Sequence, residues 1–125
     1  MTAEAISYIG NILKNELDLP YAFMTWDEDI VFPYWVGEYV ETIPMDEDGR
    51  ESGTFIITGT TDGSWLSLET VKQQIHDHFS NEGLTDILSS GSGIAVAYES
   101  GSPIPSEDET IKRMEIHLNV QEWRI

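Results

Sequence analysis

The segment Lys112–Gln121, KRMEIHLNVQ, decides the fold class because its side chains from Arg113 on alternate strictly between polar and apolar. Its apolar members are Met114, Ile116, Leu118 and Val120, and the residues between them are charged or polar. A period of two predicts a β-strand with one face buried and the other in water, which is typical of antiparallel sheets. We therefore expect a sheet whose buried face is covered by other elements.

Two amphipathic helices are predicted to provide that cover. The first spans residues 2–17, with Thr2 as its N-cap and apolar residues at three- and four-residue spacing, and Pro20 ends it. The second spans residues 65–79 and has a buried stripe at Leu68, Val71, Ile75 and Phe79.

The rest of the chain predicts further strands. Strands are expected over residues 21–25, 34–43 and 54–60, with a hairpin over 85–100 and a loop rich in Pro, Ser and acid over 101–108. The 125 residues are enough for one domain. The element order predicts a single α+β domain, 1–125, with a mainly antiparallel or mixed sheet of five to six strands and two helices on one face.

Composition excludes several classes of function. The chain has six basic and 23 acidic residues, a net charge of −17, and Lys14 is the only basic residue before Gly49. A direct grip on DNA or RNA, or on an anionic membrane, needs the opposite charge. Two interpretations of the acid remain open: it keeps the protein in solution, or it forms a surface that repels nucleic acid or meets a basic partner.

The sequence features that bear on location point to a reducing cytoplasm as the place of synthesis. The chain has no cysteine, so disulfides and thiolate chemistry are excluded. No apolar run approaches the ~20 residues of a membrane span, and the first residues lack the pattern of a secretory signal.

The motifs tested for chemistry predict no catalytic, cofactor or metal site. His76 and His78 are two residues apart in a predicted helix, so their side chains point about 200° apart and cannot chelate one ion. The segment 46–49 resembles part of a calcium loop, but Pro44 and Phe55 would occupy two of its ligand positions. Gly91-Ser92-Gly93 is too short to cradle a phosphate and no Lys follows it. We therefore expect a protein that is not an enzyme.

Aromatic residues instead predict a contact surface. Residues 20–43 hold seven of the chain's thirteen aromatic residues and no Lys or Arg. Both faces of the strand 34–43 are mixed, so a loop or another subunit is predicted to cover its second face. The candidate contacts are Trp26, Trp35, Tyr39, Asp46, Asp48 and Trp123. Alternatives remain open: Trp35 and Tyr39 as core residues, the 46–53 loop as a plain connection, and Trp123 as a residue packed under a loop.

Several segments together resemble one family. They are Asn15–Phe23, Phe32–Tyr39, Thr58–Thr60 with Trp65, Gly91–Ala95 and Val120–Ile125. This combination resembles the small tail-component proteins of tailed phages and prophages of Gram-positive bacteria, and within them the tail terminator, or tail-completion, group. The resemblance extends over nearly the whole chain, and its motifs are structural rather than chemical.

The resemblance implies an α+β protomer that forms a ring, often a hexamer, at the head-proximal end of the tail. Such a ring stops growth of the tail tube and docks the head connector, so its partners are other copies, tail-tube proteins and head-connector proteins. It implies a place in the virion tail and no catalytic residues. Two alternatives are another virion joint, such as a head–tail connector or tail-tube neighbour, and an acidic binding or inhibitor module.

Overall fold

The computed structural model describes residues 1–43, 49–80, 84–105 and 107–124. Over these residues the elements follow the predicted order. They are α1 (Ala3–Asn11), continued by a π-helical turn (Ile12–Glu16), β1 (Tyr21–Phe23), β2 (Tyr34–Ile43), β3 (Arg50–Thr61), α2 (Trp65–Phe79), β4 (Leu84–Ile87), β5 (Gly93–Ile104) and β6 (Lys112–Trp123). The predicted α+β class is confirmed.

The strands form one mixed sheet in the order β1-β2-β3-β6-β5-β4, curled into a half-barrel. The pair β1–β2 is parallel and all the other neighbouring pairs are antiparallel. The alternating strand β6 lies in the interior of the sheet, paired along its whole length with β3. Its predicted apolar face is buried and its other face is half-buried or exposed, so the period-two interpretation of this segment is confirmed.

A single core lies between the helices and one face of the sheet. The predicted stripe of α2 is buried, as are Ala5 and Ile9 of α1. From the sheet, the buried apolar residues are Tyr21, Trp35, Phe55, Ile57, Ile94, Val96, Met114, Ile116, Leu118 and Val120. Burial of this apolar surface is the main stabilising contribution.

The structure corrects several predicted boundaries. The first helix is α-helical only to Asn11, and β3 begins at Arg50, four residues before the predicted start. The segment 101–104 was expected to be a loop but belongs to β5. It pairs with β6 after a bulge between Tyr98 and Ser100 that shifts the register of the two strands. Pro103 is tolerated there because β4 pairs only with the first residues of β5, which leaves an open edge.

Buried carboxylates fix the end of the sheet where β6 finishes. Glu122 is 1% exposed and accepts hydrogen bonds from the backbone N and the Oγ1 of Thr2, at 3.0 and 2.7 Å. Thr2 in turn caps α1, as predicted, by accepting from the backbone N of Ala5. Glu51 is buried and pairs with the guanidinium of Arg124 at 2.8 Å. The last residues of β6 and the residue that follows the strand are therefore bonded to the start of α1 and to β3.

Candidate interaction surface

The edge strand β1 is followed by a crossover, residues 24–33, that leads to the start of its parallel neighbour β2. Met24 has a positive φ of 69°, which turns the chain out of the strand. Its backbone N donates to the carbonyl of Gly37 at 2.8 Å, and the backbone N of Thr25 donates to the carbonyl of Phe23 at the same distance. The strand therefore ends two residues earlier than the predicted span of 21–25.

Local polar contacts shape the crossover. The Oγ1 of Thr25 donates to Asp27 at 3.1 Å, and the Nε1 of Trp26 donates to the carbonyl of Asp29 at 3.2 Å. A groove of about 460 Å³ lies between the crossover and β1, lined by Lys14 and by the acidic residues 27–29. The acidic residues are exposed, so this edge of the molecule is negatively charged.

Aromatic contacts attach the crossover and β1 to the sheet. The ring of Tyr34 lies 5.2 Å from that of Trp26 and 6.0 Å from that of Phe32. On the other face, the ring of Phe23 stacks on that of Tyr39, with 6.3 Å between centroids. Such pairs contribute about 0.5–1.5 kcal/mol beyond their burial. The second face of β2 was predicted to be covered by a loop or by another subunit. At the start of the strand, the crossover is the loop that covers this face.

The end of β1 and the crossover leave several apolar side chains exposed along this edge of the sheet. We call this surface the aromatic edge, and its residues are Phe23, Met24, Ile30, Val31 and Phe32. Ile30 is 62% exposed. With Tyr39 and Val40 of β2, these residues make up seven of the eleven exposed large apolar side chains of the described residues. Clusters of this kind on soluble proteins mark interaction surfaces.

A second exposed apolar surface lies at another part of the sheet, where β6 ends. By register, Ile87 of β4, Gly93 of β5, Trp123 of β6 and Arg50 of β3 lie side by side on the sheet face away from the helices, and we call them the Trp123 row. Ile87 is 74% and Trp123 40% exposed. A Cβ added to Gly93 would lie 3.7 Å from the Trp123 ring, so the ring packs over this glycine.

The six predicted contact residues have different outcomes. Trp123 and Tyr39 are exposed and Trp26 is half-buried in the crossover. Trp35 is 0% exposed, so the expectation that it contacts a partner is corrected: its ring packs over Gly59 in the core. Asp46 and Asp48 lie outside the described residues. The sheet does not bring these residues together, since Trp123 is separated from β2 by β3.

Sequence reasoning missed several members of both surfaces. Met24, Ile30 and Val31 were not predicted as contacts, although three apolar residues at 30–32 between an acidic run and Pro33 have no periodic partner and were a usable signal. Ile87 gave no such signal, because a strand of four residues does not reveal that it will be an edge.

The titratable side chains that the structure describes make mainly local contacts on the surface. The Nδ1 of His76 lies 3.2 Å from Asp77, and this contact, with a second hydrogen bond from Gln73, lowers the pKa of Asp77. His117 pairs with Glu115 on the face of β6 away from the helices. Among the described residues, no group of three or more His, Asp or Glu is placed to hold a metal ion.

Comparisons with known proteins give no functional assignment for this chain. No protein-family model matches the chain, and no curated protein matches it. Within the described residues, no helix is long and apolar enough to cross a membrane.

Proposed function

We propose that this protein is a non-enzymatic structural subunit of a phage or prophage tail. Copies assemble into a ring at the head-proximal end of the tail, where the ring terminates growth of the tail tube and docks the head. Its partners are other copies, six to a ring as the family resemblance implies, and the tail-tube and head-connector proteins.

The aromatic edge is the observation that carries this proposal. It groups exposed apolar side chains on one edge of a small domain whose core is already complete without them. A subunit that must associate with copies of itself and with neighbours needs such surfaces, whereas an enzyme of this size needs a cleft with convergent polar groups.

The net charge of −17 is consistent with the same role. The genome passes through the centre of the ring, and an acidic wall repels its phosphates so that DNA slides without binding. The protein is made in the host cytoplasm and ends in the virion tail.

Electron microscopy of tails made without the gene tests this function. A terminator predicts tails of abnormal length, because nothing stops tube growth, and these tails carry no heads. Tails of normal length that lack heads would instead assign the protein to the head–tail connector, and normal virions would contradict a role in the tail joint altogether.

Complementation with two variants relates the phenotype to the surface. Ile30→Asp places a carboxylate on the aromatic edge and should fail to restore tail length. Leu66→Asp is the matched control, since Leu66 is 73% exposed on α2, outside both apolar surfaces, and it should restore normal tails.

A further inference from the structure

We infer that copies of this chain associate head to tail, with the aromatic edge of one copy against the Trp123 row of the next. This inference rests on the proposed function and specifies which surfaces form the contact between subunits. The occupant of each surface is a second copy of the same chain.

The two surfaces occupy different strands of one sheet. The aromatic edge belongs to β1 and its crossover at one side, whereas the Trp123 row runs across β4, β5, β6 and β3. Association through two different surfaces of each copy is heterologous, and a heterologous contact closes into a ring when its rotation allows. A twofold contact would need one surface that fits itself.

Charge argues against pairing the aromatic edge with itself. The crossover that carries most of the aromatic edge also carries the exposed carboxylates of Asp27, Glu28 and Asp29. Two such edges face to face would bring three carboxylates of each copy together, and juxtaposed like charges oppose association.

The Trp123 row lacks the carboxylates that accompany the aromatic edge. It includes Arg50, and by register the row beside it holds Thr85, Ala95, Gln121 and Ser52. These two rows therefore carry no carboxylate, although 23 of the 125 residues of the chain are acidic. An acidic apolar edge that meets this row therefore avoids repulsion between like charges, and the contact is centred on Trp123, a residue type enriched at interaction hot spots.

A mixing experiment with one variant on each surface tests this arrangement. Ile30→Asp changes the aromatic edge and Ile87→Asp changes the Trp123 row. Both sites are mostly exposed, so the variants should fold normally, which circular dichroism and thermal unfolding would verify. Sedimentation velocity then measures the size of each variant, of the wild type, of Leu66→Asp and of an equal mixture of the two interface variants.

Head-to-tail association makes a specific prediction for the mixture. Each variant alone should dissociate, with self-association weakened at least about tenfold, because a carboxylate is buried without a partner. In the mixture, one intact aromatic edge meets one intact Trp123 row, so dimers should form and nothing larger. The wild type and Leu66→Asp should form species larger than dimers.

Three results would overturn the inference. They are a mixture that stays monomeric while the wild type associates, an Ile87→Asp variant that associates like the wild type, and a wild type that stays monomeric at all concentrations. Each is distinguishable from failure of the proposed function, because abnormal tail length in phage lacking the gene would leave that function standing while these surfaces are rejected.

Discussion

Gly59→Ala should destabilise the protein strongly, because Gly59 makes room for the ring of Trp35. The two residues are paired across β2 and β3, and a Cβ at position 59 would lie 2.7 Å or less from three carbons of the ring. Ordinary contacts between such atoms are about 3.5–4.0 Å. Because Trp35 is completely buried, the ring has no open space into which it can move.

The expected cost follows from two opposing contributions. Forcing an extra methyl group into a packed core costs about 1–3 kcal/mol, and a clash this close belongs at the upper end. Replacing glycine in a strand recovers about 0.5–1 kcal/mol of conformational entropy. The net loss is therefore about 2 kcal/mol, which corresponds to a fall in Tm of roughly 8 °C for a chain of this length.

Urea unfolding followed by tryptophan fluorescence measures this loss, and Gly63→Ala is the matched control. A Cβ at Gly63 would meet only the Oγ1 of Thr61, at 3.4 Å. A double-mutant cycle with Trp35→Phe tests whether the loss comes from this contact, because Phe lacks the second ring of the indole, which brings three carbons against the added Cβ. The cost of Gly59→Ala should fall by at least about 1 kcal/mol in that background. A Gly59→Ala protein as stable as Gly63→Ala would refute the placement of Trp35 in the core.

Two further predictions concern polar groups that are buried or partly buried. Burial raises the pKa of Tyr8 and of Tyr21 to about 12, so these hydroxyls should ionise last in an ultraviolet titration, and Tyr21→Phe should remove one late step. Each of these two pKa values in the folded protein lies above the ordinary tyrosine value near 10. The contribution of the two hydroxyls to stability should therefore be complete below pH 10 and decline towards pH 12. Ionisation of all tyrosines near pH 10 in the folded protein would contradict this prediction. Glu122→Ala should lower the free energy of unfolding by about 3 kcal/mol, because it removes two hydrogen bonds to a charged acceptor and leaves Thr2 without its partner. The exposed Glu107→Ala should change it by less than about 0.5 kcal/mol, and equal effects in urea unfolding would count against the buried role of Glu122.

The fold was predictable where a local pattern is repeated several times. The alternation of β6 and the stripe of α2 each repeat over at least ten residues, and both elements lie where the patterns place them. Short elements offer no such repetition. The three residues of β1 do not indicate that the strand pairs in parallel with β2, since that pairing depends on the path of the crossover.

The candidate surface was predictable only in part, because exposure depends on distant pairing. The burial of Trp35 follows from Gly59, which lies 24 positions later and reaches it only through the register of β2 and β3. The place of Trp123 on the polar face of its strand needs only the parity of its position in the alternation of β6. Ile87 lies in the same row as Trp123 only because β4, β5 and β6 are neighbours in that order. Its place in the row could therefore not be identified from the sequence.

The central claim is that apolar side chains left exposed by the folded monomer drive copies of the chain together. Sedimentation equilibrium of the wild type, Ile30→Asp and Leu66→Asp over a wide concentration range tests it most directly. We predict masses above the 14.1 kDa of a single chain for the wild type and for Leu66→Asp, rising with concentration, and a single-chain mass for Ile30→Asp. A wild type that remains at the single-chain mass throughout, or an Ile30→Asp protein that associates equally well, would contradict the claim.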